Sequence, residues 1–320
     1  MMESKRIYSY DYMKALAIFC VVLGHLLERS DSSDNCIRTF IYSFHMPVFF
    51  LVSGLLSHRK IFVVKDLFVW YKKKTKILLP LFFFSVGNIC LLNQPWLDIV
   101  SWGKFGLWFL WVLFLFDTIY AMTQLLLLKN KNMILEIIVL MIPVLGCFIL
   151  RKYESSLIGE IFNFKQMYNY VFFVLGVLFM RMKLHKYIFD ERLQLLFVVV
   201  YIIGLSSGLG ILNVPMKISA VLVIFFIIEK LLETNKSVVY GGVNTLILKV
   251  GQKTLFIYIL HYYFIQGNIH FADNVLYASP CLYLPVYTIL AVFIILMCVG
   301  IEEALNTNSY IRKYIFGASK

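Results

Sequence analysis

Three ionisable side chains, Asp11, Lys14 and His25, interrupt one apolar run, YSYDYMKALAIFCVVLGHLLE. A helix turns 100° per residue, so eleven steps from Lys14 to His25 return to within about 20° of the same face, over roughly 16 Å. Asp11 precedes Lys14 by three residues and can pair with it on that stripe. An imidazole with an ordinary pKa of about 6.5 suits taking a proton from a hydroxyl. A second run, FHMPVFFLVSG at 44–54, places His45 just before Pro47, with Ser53 and Gly54 two turns later. Pro47 has no N–H, so the carbonyl of Ser43 loses its helical partner and a kink is expected. Gly54 permits close approach of a helix or a ligand. A third run, TLFIYILHYYFIQG, places His261 among Tyr258, Tyr262 and Tyr263.

Each group has a plainer reading. Asp11 and Lys14 can simply tie helices together, and His45 and His261 can be hydrogen-bonded core histidines. The setting decides between them. Of the 320 residues, 61% are apolar, 17% aromatic and 15% charged. A soluble domain carries about 25% charged residues, so the chain reads as an all-α, polytopic integral membrane protein. Ionisable groups inside membrane helices cost about 2.5–3.5 kcal/mol each on insertion scales and usually serve function. Three on one stripe imply a polar cavity facing it.

The elements that carry these residues are ten apolar spans: 7–27, 37–57, 77–93, 107–128, 133–150, 167–181, 193–212, 214–232, 253–269 and 282–301. With the N-terminus inside, most of the 30 Lys and Arg fall in the inner segments, including HRKIFVVKDLFVWYKKKTK and the stretch 230–253. Both termini are therefore expected to be cytoplasmic, in one transmembrane domain spanning 1–320 with no appended soluble domain. The net charge of +12 is explained by this bias rather than by nucleic-acid binding. The basic start is a retained first helix, since Asp11 and Lys14 interrupt it and no small-residue cleavage site follows. IFVVKDLFVWYKKKTK suits a helix lying in the membrane interface.

Lys72, Lys73, Lys74 and Lys76 stand at the cytoplasmic mouth of the third span, as topology anchors or as a rim for an anionic ligand. Trp108 and Trp111 fall near the outer interface, where aromatic belts are common. Cys20, Cys90, Cys147 and Cys298 read as small core residues, and no spacing suggests a metal site. Cys36 and Cys281 fall on the outer side, where a bridge is permitted.

Taken in order, these features resemble the membrane-bound acyltransferase-3 family, in its branch of bacterial sugar O-acetylases. The matching residues are Lys14 and His25 with ten between them, FHMP through SG from Phe44 to Gly54, and the basic run leading to Pro80. WFL at 108–110, FFVLGVLFMR at 172–181 and GQKTLFIYILH from Gly251 to His261 complete the match. The family often has arginine where this chain has Lys14, which keeps the charge but not the two-pronged geometry.

The resemblance implies transfer of an acetyl group from cytoplasmic acetyl-CoA to a hydroxyl of a surface polysaccharide or its lipid-linked precursor, in the cell membrane. It implies His25, Asp11 and His45 as catalytic groups, and Lys14, Ser53, Lys73 and Lys76 as the donor site. Trp108, Tyr258 and His261 are then the acceptor site. Two rival classes share the same polar stripe: a flippase or exporter of a glycan intermediate, and a structural subunit of a polysaccharide synthase.

Overall fold

The described parts of the ten apolar runs are mostly helical. The computed structural model describes residues 8–29, 36–58, 63–92, 95–99, 101, 103–127, 132–184, 190–234, 242–265 and 280–308, and among these no strand occurs. In chain order the helices are α1 (Tyr8–Arg29), α2 (Cys36–Ser57), α3 (Val64–Lys74), α4 (Leu78–Leu92), α5 (Trp108–Leu126), α6 (Met133–Leu150) and α7 (Leu157–Ile161). They continue with α8 (Phe164–Met167), α9 (Tyr170–Arg181), α10 (Glu191–Ser207), α11 (Asn213–Thr234), α12 (Gly242–Gln252), α13 (Thr254–Ile265) and α14 (Pro280–Asn306). The chain is an all-α membrane protein. Among the described residues, five helices (α1, α2, α5, α6 and α14) are long and apolar enough to cross a bilayer alone. The pair α12 and α13, bent by 84°, makes a sixth if taken as one broken span. The fourth and ninth helices, at 15 and 12 residues, are shorter than the roughly 17 residues a crossing requires.

The helices pack into two compact units, Met1–Val52 with Lys183–Glu303, and Ser53–Met182 with Ala304–Lys320. In the first, α1 is the central element and packs against α11, α12 and α13. Helix α1 is buried around most of its circumference, through Met13, Ala17, Ile18, Val22 and Leu27. Helix α12 falls within the stretch 230–253, read from the sequence as an inner connection. Its buried Leu248, Val250 and Gly251 show why it is instead a packed element. Gly251 seats on α1 so closely that a Cβ would overlap the carbonyl oxygen of Asp11. Helices α10 and α11 form a hairpin. Its turn uses Gly208 in the left-handed conformation (φ 63°), where glycine carries no Cβ penalty.

In the second unit α5 is central, with α3, α4 and α6 against it and α9 packed on α6. The Asn132 side chain accepts from the backbone N–H groups of Ile134 (2.9 Å) and Leu135 (3.3 Å), capping α6. Gly54 meets a helix, not a ligand: its missing side chain leaves room for the backbone carbonyl of Phe173. Of the cysteines read as core, Cys20, Cys147 and Cys298 are buried. Cys90 is exposed, on a helix whose Phe82, Phe83 and Val86 also face outward. Cys36 is an exposed free thiol, and the side chain of Cys281 lies outside the described residues.

Candidate active site

The first unit gathers three histidines. On α1, the Nζ of Lys14 pairs with Asp11 at 2.8 Å, the pairing expected from their three-residue spacing. Two turns beyond the middle of α1, the Nδ1–H of His25 donates to Oε2 of Glu28 at 3.2 Å. An ionised carboxylate only accepts, which assigns the proton to Nδ1 and leaves Nε2 with a lone pair. The same Oε2 accepts from the Tyr42 hydroxyl of α2 at 3.0 Å. The Tyr42 ring stands edge-on to His45, with centroids 4.9 Å apart. Glu28 and Tyr42 thus join His25 to His45 across the two helices.

His45 donates Nδ1–H to the carbonyl of Ile41 at 2.8 Å, one turn back on its own helix. His261 does the same to Ile257 at 3.0 Å on α13. The rings of His25 and His261 stack with centroids 5.5 Å apart and an interplanar angle of 28°. Tyr262 packs edge-on to both, and Tyr258 lies 5.8 Å from His261. All three imidazoles therefore spend Nδ1 and keep Nε2.

They differ in access. His45 is 7% exposed and His261 1% exposed. The His25 side chain is 32% exposed and is the one of the three that has a carboxylate partner. A carboxylate on Nδ1 stabilises the imidazolium formed when Nε2 takes a proton, and holds the ring's orientation. A carbonyl partner, as at His45 and His261, lacks the full charge. His25 is the histidine of this unit equipped to act as a base on an arriving group.

The remaining residues read from the sequence, Ser53, Lys73, Lys76 and Trp108, belong to the second unit. Lys73 is exposed, while Ser53, Lys76 and Trp108 are half-buried, Trp108 edge-on to Phe109 at 6.3 Å. The neighbouring Lys74 is committed elsewhere. Its ammonium donates to Ser57 Oγ at 2.8 Å, pairs with buried Asp117 at 3.0 Å and sits 5.3 Å from the Trp70 ring. The Tyr71 hydroxyl bonds Thr118 at 2.9 Å on the same face of α3, so that face docks on α5. Lys65, Lys72, Lys73, Phe68 and Val69 are all exposed. This amphipathic division suits the interfacial position read for the segment.

Residues 7–301 match the family model described as an acyltransferase domain, acyltransferase-3. The chain belongs to the acyltransferase-3 family. No curated protein and no solved structure matches it. Membership makes the chain a membrane acyltransferase. Glu28 and Tyr42 are members of this site that the sequence reading passed over. The available signal was spacing: Glu28 follows His25 by three residues and Tyr42 precedes His45 by three, one helical turn in each case.

Proposed function

We propose that this acyltransferase moves an acetyl group from cytoplasmic acetyl-CoA to a hydroxyl of a cell-surface polysaccharide or its lipid-linked precursor, in the cell membrane. The observation that carries the reading is the exposed His25 with its Nδ1 proton held by Glu28. In this reading the acceptor oxygen attacks the thioester carbonyl while His25 Nε2 takes the hydroxyl proton. The C–S bond breaks, the proton passes to the departing CoA sulfur, and an ester and CoA thiol are formed. The Glu28 carboxylate stabilises the transient imidazolium. Asp11 fixes the Lys14 ammonium on the same helix for the donor, and His45, with Tyr42, backs Glu28.

Lys73 and Lys76 are assigned to the donor on the strength of their charge alone, and Lys14 and Ser53 to the donor as a charged and a polar group within their own units. Both termini are taken as cytoplasmic from the lysine bias, which puts the basic segment on the side where CoA is found. Trp108, Tyr258 and His261 are assigned to the acceptor. The test is CoA release from acetyl-CoA by the full chain reconstituted in lipid. Release that disappears in His25→Ala, with CoA binding retained, supports the reading. A flippase or a structural subunit releases no CoA, so wild-type protein without activity above the lipid blank sinks it.

A further inference from the structure

His261 poses a problem that the assignment above leaves open. It is 1% exposed, and among the described residues its Nε2 has no hydrogen-bond partner. Because Nδ1–H is donated to Ile257, Nε2 is an acceptor and needs a donor. Leaving a buried acceptor unsatisfied costs about 1–3 kcal/mol. Methionine or leucine would fill the same space on an apolar helix at no such cost. Among the described residues none donates to it: Tyr258 and Tyr262 meet His261 through their rings, at centroid distances of 5.8 and 6.4 Å. What does lie against it is His25, stacked at 5.5 Å and open at its own edge.

We infer that His261 Nε2 receives a second hydroxyl of the acceptor, on the carbon next to the hydroxyl that His25 deprotonates, so that the acceptor is a vicinal diol. The inference rests on the acetyl-transfer reading and narrows its substrate class. Two stacked imidazoles with ring centroids 5.5 Å apart, each with one spare lone pair, are close enough to accept from two hydroxyls of one small acceptor, each through a hydrogen bond of about 2.7–2.8 Å. The reacting hydroxyl gives its proton to His25. Its neighbour keeps its proton and donates it to His261, which fixes the ring and selects the position acylated. Tyr262 packs edge-on to both histidines. A site that hydrogen-bonds a substrate hydroxyl discriminates strongly against an analogue lacking it, because the buried group is then left unpaired.

The experiment uses the reconstituted full chain, acetyl-CoA as donor, and two surrogate acceptors, cis-1,2-cyclohexanediol and cyclohexanol. CoA release and ester formation are followed together. The diol is expected to be acetylated at least about tenfold faster than the mono-alcohol. His261→Ala is expected to bring the two rates together, read as the ratio of diol to mono-alcohol acetylation whatever the absolute rate. His261→Gln keeps an acceptor oxygen and is expected to retain part of the preference, which separates the hydrogen bond from a packing defect. A diol no better than cyclohexanol overturns the inference, as does a preference that survives His261→Ala. No CoA release by the wild type with either acceptor, by contrast, overturns the acetyl-transfer reading itself.

Discussion

Arg181 in the second unit and the three histidines in the first are both polar groups set among apolar helices, and they are used in opposite ways. Arg181 Nε donates to the carbonyl of His58 at 3.2 Å, and Nη2 donates to Tyr120 at 2.8 Å and to Gln124 at 2.9 Å. Its Nη1 pairs with Glu136, and both side chains are less than a tenth exposed. The guanidinium is engaged through all three nitrogens, and it ties the ends of α2, α5, α6 and α9 together. Nothing is left over for a substrate. Each histidine, in contrast, holds one nitrogen fixed and leaves the other idle. A saturated polar cluster specifies structure; a half-used one, beside an exposed edge, is equipped for chemistry.

The comparison makes graded predictions. The largest effect belongs to His25→Ala, expected to lower transfer by about 10²–10⁴-fold with the protein still inserted and CoA still bound. Steady-state CoA release with isothermal binding of CoA measures both. Next is Arg181→Met, which leaves Glu136 buried without its partner and is expected to cost about 3–5 kcal/mol of stability. Turnover per folded molecule should hold. A thermal melt read against active-protein titration separates the two, and a mutant that melts normally breaks the contrast. The double change Arg181→Met with Glu136→Leu should recover much of the loss, since no buried charge then remains.

Glu28→Gln should lower kcat by about tenfold or more, because the amide cannot stabilise the imidazolium. Tyr42→Phe should cost less, since it removes only a supporting bond to Glu28. If Glu28→Gln is silent, the dyad is a surface contact. Changing Lys73 and Lys76 together to Gln should raise KM for acetyl-CoA a few-fold at low salt and less at high salt, because screening weakens the attraction they provide.

The smallest effect concerns Lys104, buried outside the spans with its ammonium donating to the carbonyls of Ser101 (3.0 Å) and Glu160 (3.2 Å). Burial pulls its pKa down to about 8. Between that value and the ordinary lysine value of about 10.4, the unfolded chain binds more protons than the folded one, so stability rises with pH across that window. A Tm gain of about 1–3 °C between pH 8 and 10, flattened in Lys104→Met, is the expected result.

Much of the framework was legible in the sequence. Hydropathy located the helices that carry the histidines, because an apolar run long enough to cross a bilayer stands out even when a few polar groups interrupt it. The three-residue spacing was enough for the Asp11–Lys14 pair. Helix α12 was missed because Lys249 and Lys253 gave its stretch the composition of an inner connection. The structure shows those lysines paired with Glu302 and Glu303 of α14. Glu28 was passed over because a glutamate at a helix end, before RSDSSDN, reads as solvated. Its meaning depends on Tyr42, which approaches from another helix. The stacking of His25 on His261 could not be read at all, since it joins residues 236 positions apart in sequence. Lys74 looked like its neighbours until Asp117 singled it out.

The central claim is that the open nitrogen of His25 takes the acceptor's proton. Chemical rescue tests it most directly: His25→Gly in reconstituted protein, with CoA release measured as imidazole is added across a pH series. The account predicts little release without imidazole and a dose-dependent recovery that follows the neutral, proton-accepting form of imidazole. Near-normal turnover of His25→Gly without imidazole, or no recovery at any concentration while CoA binding is intact, would contradict it.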